Sequence, residues 1–529
     1  MKKIIYSCFI ILGLIGSAGC KKWLDVNRNP NGPEEVSANL YLAPMLYYVV
    51  QGEQWDGRFV GKYIQNWSDN TDKDTWDTMG FQPPPVDNGG ETWKLTYYFL
   101  GKNLEDMMRI AETEQRWDIL GVGYILKAIG FQRSTDMYGE LVIKQMGETE
   151  RTSFDYDSQE YAYGEIRRLL DLAIVNLQRT DGVVSKSYLA KGDLVYNGAK
   201  EQWLKFAYGM MALNLSHLTN GKSGYDGDKI IDYVNKSFVG NVDNALYGFG
   251  GLTSALSNFY GQRRGNMNTF RHTEFVVSLL NGTAFSGVVD PRLSRMLWPS
   301  PSGNYKGLQP TFTPASTIPV VADRPLSFFN TSGNVVIASQ GRYLFDDVAK
   351  VPLMTYSQLQ FVKAEAALRK GYRDVAMDAY KKGIDAHIDF VNTTNARVPT
   401  GTATQITAQE KTAYMGNANV VPLTDAELTL SHILCQKYIA QFGWAFLETW
   451  TDLRRFHYTD LDPQGRGTQV FRGFAPPDVT RLYADNLGKV VYRMKPRYAS
   501  EYVWNRNALD KIGGLNLDFT TYPLWFVNP

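Results

Sequence analysis

The chain has 529 residues, a formal net charge of +1 and a hydrophobic fraction of 44%, which is enough for a large core. Such a balanced charge excludes the bulk electrostatic attraction that marks proteins binding nucleic acid or acidic lipid. Three cysteines are present, and only Cys435 falls in the body that we expect to fold, which excludes an internal disulfide there. Cys435 stands in a helical pattern and is predicted to pack as a small buried hydrophobe.

Residues 1–19 show the order of a secretory signal, with two lysines, an apolar run over Ile4–Gly16 and then small residues. The run is too short for a membrane-spanning helix, which needs about 20 residues. Cys20 follows directly, and this stretch resembles the lipobox of bacterial lipoproteins, whose cysteine is acylated. The alternative is an ordinary signal peptide with a cysteine near its cleavage site. We predict a signal peptide over 1–19 and a tether over 20–36 that is lipidated at Cys20.

The rest of the chain is predicted to form one domain, 37–529, which begins with a helix near Ser37. The stretch "RWDILGVGYILKAIGFQRSTDMYG" carries apolar residues at helical spacing and is expected to end near Gly139. The stretch "KEQWLKFAYGMMALNLSHLTNG" has a second apolar face and is expected to end at Asn220 and Gly221. Both stretches are predicted to be helices.

The clearest unit runs from 354 to 388, where Gly371 separates two apolar stripes of helical spacing. Two such helices form an αα-hairpin that resembles a tetratricopeptide repeat. The alternative is an isolated hairpin, because no strict period of about 34 residues recurs. Looser helix pairs extend the predicted helical repeats over about 93–218 and 355–456. The predicted fold class is mainly α, a tetratricopeptide-repeat-like helical scaffold with long loop-rich insertions and few short strands.

The loop-rich insertions fall at about 66–90 and 221–350, where Gly, Ser, Asn and Pro are frequent. Loops of this length inside a compact domain are usually functional or disordered. Aromatic and β-branched residues are interleaved with the turn residues, which favours ordered loops with a few short strands. We therefore predict that these two regions form a ligand-binding face.

Motifs for catalysis are missing from the sequence. There is no G-x-S-x-G elbow and no H-E-x-x-H pair, and the five histidines lack the spacing of metal ligands. Phosphate and dinucleotide fingerprints are incomplete. A pair of carboxylates for glycoside cleavage is defined by spatial separation, which the sequence does not give. The prediction is a protein that is not an enzyme and needs no cofactor.

Asn70, Asp72 and Asp74 alternate as the ligands of a calcium-binding loop do. Such a loop also needs glycine at its sixth position and glutamate at its twelfth, where this chain has Thr75 and Phe81. We expect a solvated polar loop, with a calcium site as the alternative.

Seven stretches, taken in order, resemble the SusD/RagB family of outer-membrane nutrient-binding lipoproteins of Bacteroidetes-type bacteria. The stretches are "CKKWLDVNRNPN", "FQRSTDMYGELVI", "DLVYNGAKEQWLKFAYGMMALNLSHL", "VVDPRL", "VPLMTYSQLQFVKAEAALRKG", "CQKYIAQFGWAFLETWTDLRRFHY" and "YRMKPRYASEYVWNRNALDKIGG". Glu140, Val142 and Ala499 depart from the residues that are usual there. The resemblance extends over essentially the whole chain after Cys20.

The resemblance implies a SusD-like fold of tetratricopeptide-type helices that carry a loop-rich ligand face. It also implies a partner, a TonB-dependent, SusC-like β-barrel transporter over which the protein sits as a lid. The ligand would be a nutrient oligosaccharide, or a peptide in some members, and the location would be the outer membrane, through a lipid anchor at the cell surface. Lys21 and Lys22 stand where many surface-exposed relatives carry acidic residues, which leaves surface display open.

Sugars present apolar C–H faces and a rim of hydroxyls, so their binding sites combine aromatic rings with polar side chains. We selected aromatic and polar residues of the predicted loops as ligand contacts, with Trp76 as the first to test. The predicted contacts are Trp67, Asp69, Trp76, Phe259, Tyr260, Arg263, Arg264, Trp298 and Tyr305. Trp93, Trp203 and Tyr380 lie on helical stripes and are predicted to be core residues.

Four functions are compatible with this sequence, and the leading one is non-catalytic glycan capture for uptake. The same role for peptides is the nearest rival, because Arg263 and Arg264 beside Tyr260 would suit a carboxylate. A surface glycoside hydrolase and a scaffold that binds only protein are the other two.

Overall fold

The computed structural model describes residues 36–70, 74–81, 89–148, 150–222, 224–333, 341–395, 405–465, 467–496 and 498–528. The predicted signal peptide, Cys20 and nearly all of the tether lie outside the described residues, as does Asp72 of the calcium prediction. Within the described ranges, no helix is both long enough and apolar enough to cross a membrane.

The first half of the scaffold is helical from Ser37 onward, as predicted. Its helices are α1 Ala38–Tyr63, α2 Glu91–Lys94, α3 Gly101–Thr113, α4 Trp117–Tyr138, α5 Gln159–Gln178, α6 Lys186–Leu189 and α7 Lys200–Ser216. A π-helical turn, Leu95–Leu100, joins α2 to α3. The α4 helix packs against α5, and α5 packs against α7, so neighbouring helices form the repeat-like layers expected from the sequence.

The αα-hairpin predicted at 354–388 is confirmed by the packing of two consecutive helices. These are α12, Tyr356–Lys370, and α13, Arg373–Asn395. Gly371 ends α12 in a left-handed conformation with φ of 80°, which glycine adopts without steric cost. Three further helices complete this half: α14 Ala408–Met415, α15 Leu430–Gln441 and α16 Phe446–Arg455. The mainly α fold class is therefore confirmed.

The loop-rich regions are tied together by two antiparallel strand pairs. Strand β1, Trp67–Asp69, pairs with β3, Phe270–His272, so the 66–90 region lies beside the 221–350 region. Strand β2, Ala245–Tyr247, pairs with β4, Val351–Met354, directly before α12. In the described part of the chain the regular strands are few and short, as predicted.

The region 221–350 contains more helix than we predicted. It holds α8 Gly227–Lys236, α9 Glu274–Leu280, α10 Leu293–Met296 and α11 Pro314–Thr317. The α8 helix is the main correction to the loop prediction. Its turn-like start is an N-cap, because the Asp226 side chain accepts from the backbone N–H of Lys229 at 3.0 Å. Ile230 and Val234, at a spacing of four residues, form its buried apolar face, and the helix is short enough to have been included in the surrounding loop-rich region.

The C-terminal part adds α17, Ala499–Val503, and α18, Arg506–Lys511, beside the first helices. Short 3₁₀ turns connect the elements at Asn241–Asp243, Gln262–Arg264, Val321–Asp323, Asp425–Glu427, Val479–Arg481, Ala484–Asn486 and Phe519–Thr521. Trp93, Trp203, Tyr380 and Cys435 are all buried, which confirms their prediction as core residues.

Candidate functional site

Most of the predicted ligand-contact rings lie inside the molecule. Trp67, Trp76, Phe259, Tyr260 and Trp298 are all buried. Trp67 is typical, because its indole N–H donates to the Arg58 carbonyl at 3.0 Å and its ring packs against Tyr260 and Phe446. All five rings are therefore packed in the core of this structure and not on an exposed face, and ligand contact by them stays a prediction.

Trp76 is buried because its polar neighbours are satisfied locally. The Asp74 carboxylate accepts from the backbone N–H of Trp76 at 2.9 Å and pairs with Lys62 at 2.7 Å. The indole is then the large apolar group of the loop, and it packs between Phe59, Tyr63 and other rings. The polar sequence around Trp76 therefore reflects internal pairing and not solvent exposure.

Lys62 is the centre of an acidic cluster that sequence analysis missed. Its ammonium lies 2.7 Å from Asp74, 3.5 Å from Asp77 and 3.9 Å from Asp69. Burial raises the pKa of Asp77 to about 7, although Lys62 lowers it. Because Lys62 already brings a positive charge to Asp74, the arrangement argues against calcium at Asn70 and Asp74. Among the described residues, no group of three or more His, Cys, Asp or Glu side chains is arranged to hold a metal ion.

Four of the predicted contacts keep partly exposed side chains: Asp69, Arg263, Arg264 and Tyr305. Arg263 pairs with Asp347 at 3.0 Å, and Arg264 donates to the Tyr47 hydroxyl at 3.1 Å. The described structure thus separates the rings of the 259–264 segment, which are buried, from its guanidiniums, which reach the surface. Ligand contact by these four residues remains a prediction.

The loop-rich face contains a groove, which we call groove A, between α9, residues 309–312 and residues 468–478. Its cavity volume is about 680 Å³, within the range of small-ligand sites. Apolar walls come from two aromatic rings and three prolines, namely Phe275, Phe312, Pro310, Pro476 and Pro477. Phe312 is half-buried, and the guanidinium of Arg481 stacks on its ring at 3.8 Å. Groove A therefore offers apolar surface with a charged group beside it.

Hydrogen bonds hold the polar side chains of groove A in place. Gln309 donates to the exposed Glu274 carboxylate at 2.6 Å. Arg472 donates to the Ser431 hydroxyl at 2.8 Å and to the Ala284 carbonyl at 3.1 Å. Such fixed donors and acceptors beside apolar walls are what a site for a polyhydroxylated ligand requires.

Two residues of groove A have left-handed backbone conformations. Gln65 has φ of 58° and Thr311 has φ of 72°. The value for Thr311 is a genuine outlier, because β-branched residues are disfavoured there. The Thr311 hydroxyl is buried and has no hydrogen-bond partner in the part of the chain that the structure describes. Backbone strain of this kind is concentrated at binding sites, where the surrounding structure enforces it.

A second groove, groove B, is lined by α14, residues 286–295 and Tyr305, and has a volume of about 700 Å³. Arg295 crosses it and donates to both carboxylate oxygens of Glu410, at 2.8 and 3.1 Å. Tyr305 is the only predicted contact residue among those that line the three large grooves of the described chain.

The third, groove C, lies between α3 and α17 on the helical side and has a volume of about 590 Å³. Its lining is largely apolar and includes Trp93, Tyr97 and Phe154. Val503 and Trp504, at the end of α17, are exposed by 64% and 71%. Large apolar groups exposed side by side are typical of surfaces that contact another protein.

The predicted ligand face over 221–350 supplies one side of groove A, including Glu274 and Phe312, but sequence reasoning selected none of the residues that line this groove. Its one local signal was the pair Pro476 and Pro477 in a turn-rich tail. The conformations of Gln65 and Thr311 have no sequence signature, because neither residue is glycine or asparagine. The residues come together only through distant contacts, such as the 2.6 Å hydrogen bond from Gln65 to the carbonyl of Ala475, 410 residues away.

Stacked helical pairs that carry a loop-rich, grooved face define the class of helical-repeat proteins with an inserted ligand-binding surface. A family model, SusD-like_2, described as starch-binding and associating with the outer membrane, matches residues 30–471. The chain belongs to this SusD-like family, which confirms the resemblance drawn from the sequence.

Solved structures of low sequence identity share the fold. A SusD/RagB family protein from Bacteroides thetaiotaomicron is 21% identical, with 93% of this chain and 99% of that chain covered and a TM-score of 0.69. A SusD homologue from Bacteroides fragilis is 16% identical, with coverage of 93% and 100% and a TM-score of 0.71. A chitin-binding SusD homologue from Flavobacterium johnsoniae is 20% identical, with coverage of 93% and 98% and a TM-score of 0.62. No curated protein matches the chain.

Proposed function

We propose that this protein is a non-catalytic outer-membrane lipoprotein that captures oligosaccharides in groove A and delivers them to a TonB-dependent, SusC-like transporter. Family membership supports the outer-membrane and nutrient-binding parts of this proposal. The observation that carries the saccharide part is the composition of groove A, where Phe312 and three prolines face a volume of about 680 Å³ beside fixed polar groups.

The chemistry of groove A suits a sugar chain. Apolar C–H faces of sugar rings can pack on Phe312 and the prolines, and each such contact removes apolar surface from water. Glu274, Gln309 and Arg472 supply acceptors and donors for hydroxyl groups at the rim. The Arg481 guanidinium on the Phe312 ring fixes the orientation of that ring before a ligand arrives, which lowers the entropic cost of binding.

Calorimetric titration of the purified protein against chitin, starch and other neutral oligosaccharides tests this assignment. We expect Phe312→Ala to weaken the binding of a saccharide roughly tenfold, because the ring contributes about 1 to 2 kcal/mol of apolar contact. Tyr372→Ala is the matched control, since Tyr372 is an aromatic residue exposed by 43% that lies outside groove A. Equal affinities for wild type and Phe312→Ala would rule out groove A.

The same titration separates the rival functions. Binding of peptides with no binding of saccharides would keep the transport role and change the ligand class. Release of new reducing ends from a bound oligosaccharide, abolished by replacing one carboxylate such as Glu274, would establish a glycoside hydrolase and refute non-catalytic capture.

The proposed membrane anchor and transporter partner are tested in cells. Cys20→Ala should release the protein from the membrane fraction, because acyl chains supply about 0.8 kcal/mol per buried CH₂. Groove C and the exposed Trp504 support a protein partner on the helical side. Trp504→Glu should reduce co-purification with a β-barrel transporter, whereas Leu252→Glu, at a residue exposed by 79% in the loop-rich region, should not.

A further inference from the structure

Directly behind the wall of groove B lies an arginine, Arg342, whose positive charge is not balanced among the described residues. Arg342 is half-buried, and its guanidinium stacks on the ring of Trp298 at 3.4 Å. It donates to the carbonyls of Ser294, which lines groove B, at 2.7 Å and of Leu297 at 3.1 Å, and it lies close to Tyr305. All of these partners are neutral.

Among the described residues, no carboxylate lies within ion-pair distance of Arg342, and the groups that influence its pKa besides burial are Tyr305 and Arg295. Residues 334–340, which precede Arg342 along the chain, include no aspartate or glutamate. Burial lowers the pKa of Arg342 to about 10, although Tyr305 raises it, and Arg295 lowers it slightly further, so the guanidinium is still charged at neutral pH. Arg342 is therefore a partly desolvated cation beside a second cation.

Two carboxylates line groove B, and both are already engaged: Asp290 pairs with Arg292 at 2.6 Å, and Glu410 pairs with Arg295. Glu410 accepts both hydrogen bonds from Arg295, at 2.8 and 3.1 Å. It also accepts from the backbone N–H of Thr407 at 2.8 Å, as part of the capping box of α14. Each carboxylate of the groove thus has its own arginine, and Arg342 adds a positive charge that neither of them balances.

Tyr305 connects this charge to the open groove. Its side chain lines groove B close to Arg342, and burial raises its pKa while Arg342 and Arg295 lower it. The phenol therefore lies in the field of both cations. On the other side, Asn417 and Asn419 contribute neutral polar groups to the lining.

We propose that groove B binds an acidic oligosaccharide by placing a uronate carboxylate at the corner formed by Tyr305, Arg342 and Arg295. A single planar carboxylate supplies the missing negative charge and can accept from a guanidinium and from the phenol. The neutral amides of Asn417 and Asn419 suit sugar hydroxyls better than further charges, which favours an acidic sugar over an acidic peptide. This inference rests on the proposed function, because it assigns a second saccharide site to the same protein.

The test compares ligands that differ only in charge. Oligogalacturonate and oligoglucuronate are titrated into the wild-type protein beside their carboxyl-reduced, neutral counterparts. We expect at least one uronate oligomer to bind about 10 to 100 times more tightly than its reduced form, as is usual for hydrogen bonds to a charged group. The difference in affinity between the uronate oligomer and its reduced form should become smaller as salt is added. Equal affinity within both ligand pairs would overturn the proposal.

Variants then locate the site. Tyr305→Phe, which keeps the ring, and Arg342→Gln should each reduce the uronate advantage, whereas Arg168→Gln on exposed α5 surface should leave it unchanged. If Arg342→Gln does not fold, Tyr305→Phe and the ligand pairs still decide the result.

Two outcomes would refute the proposal in other ways. If Phe312→Ala abolishes the tighter binding of the uronate oligomer and Tyr305→Phe does not, the preference for charge belongs to groove A. Tighter binding of triglutamate than of either uronate oligomer would show that groove B prefers an acidic peptide, and it would refute the acidic sugar. Both of these outcomes leave the binding of neutral glycans in groove A as a separate result.

Discussion

The helical half and the loop-rich half of this molecule fill their interiors with different chemistry. Under the helices, Arg455 donates to Glu365 at 2.9 and 3.0 Å and to Asp452 at 2.6 Å. Lys437 continues this network to Glu448, which also contacts His217 at 2.8 Å. On the loop-rich side, the interior is built from aromatic rings such as Trp67 and Trp76.

The difference follows from how each half satisfies its backbone. Helices keep their hydrogen bonds internal, so the long charged side chains of α12, α15 and α16 can pair with one another at the centre of the scaffold. Loops have no such regular bonding, and large rings supply most of the apolar burial that holds them in place. An aromatic residue in a loop of this protein is therefore foremost a packing residue.

The largest expected effect on stability comes from removing one arginine from the buried charged network. Arg455→Met leaves the carboxylates of Glu365 and Asp452 buried without their guanidinium, and we expect a loss of about 3 to 5 kcal/mol in the free energy of unfolding. Urea titration measures it. Lys382→Met removes an exposed ion pair with Asp378 on α13 and should have little effect. Equal losses in both variants would contradict a special role for the buried network.

Trp76→Ala tests whether the packing of buried aromatic rings stabilises the loop-rich half. The indole is buried against Phe59 and Tyr63, and its removal should cost about 3 kcal/mol, at the low end for tryptophan because the loop can partly collapse. Thermal unfolding measures this loss. If the variant keeps wild-type stability and loses only saccharide binding, Trp76 contacts ligand and our assignment to the core is wrong.

Lys62→Met tests a buried charge cluster where α1 meets the loop-rich half. At about pH 8 we expect a loss of about 2 kcal/mol, because Asp77 is left buried without its cation. The loss should be smaller at about pH 5, since burial has already raised the pKa of Asp77 to about 7 and the carboxyl can take up a proton. Adding Asp77→Asn should recover stability at the higher pH. A loss that does not change with pH would exclude this explanation.

The smallest expected effect is a pH dependence in the charged network. Burial lowers the pKa of His217, but Glu448 and Asp136 outweigh it and the net shift is upward. A raised pKa means that charged His217 stabilises the fold below its unfolded value of about 6.5, and that this contribution is lost as pH rises through the folded-state pKa. Unfolding measured between about pH 6 and 9 should show this decline in wild type and less of it in His217→Gln. His457→Gln, on the surface, is the control, and an unchanged slope in His217→Gln would refute the assignment.

Sequence reasoning succeeded where structure is set locally. The helix 117–138, the break at Gly371 and the buried positions of Trp203 and Tyr380 all follow from apolar residues at helical spacing. Reasoning failed for α8, whose short apolar face and capped start looked like a turn. It failed again for the rings of the loops, because exposure in a loop depends on what packs over it.

The sequence by itself determined the helical scaffold, the hairpin and the family, since apolar residues at helical spacing and ordered motifs can be recognised in short stretches of chain. The tertiary structure alone decided which loop aromatics are buried and where the grooves lie. Groove A depends on contacts such as that of Arg481 with the Thr311 carbonyl at 2.8 Å, across 170 residues. Groove B depends on Arg342, which reaches Ser294 across 48 residues. Such pairings are selected by packing and charge balance in three dimensions, and no local pattern encodes them.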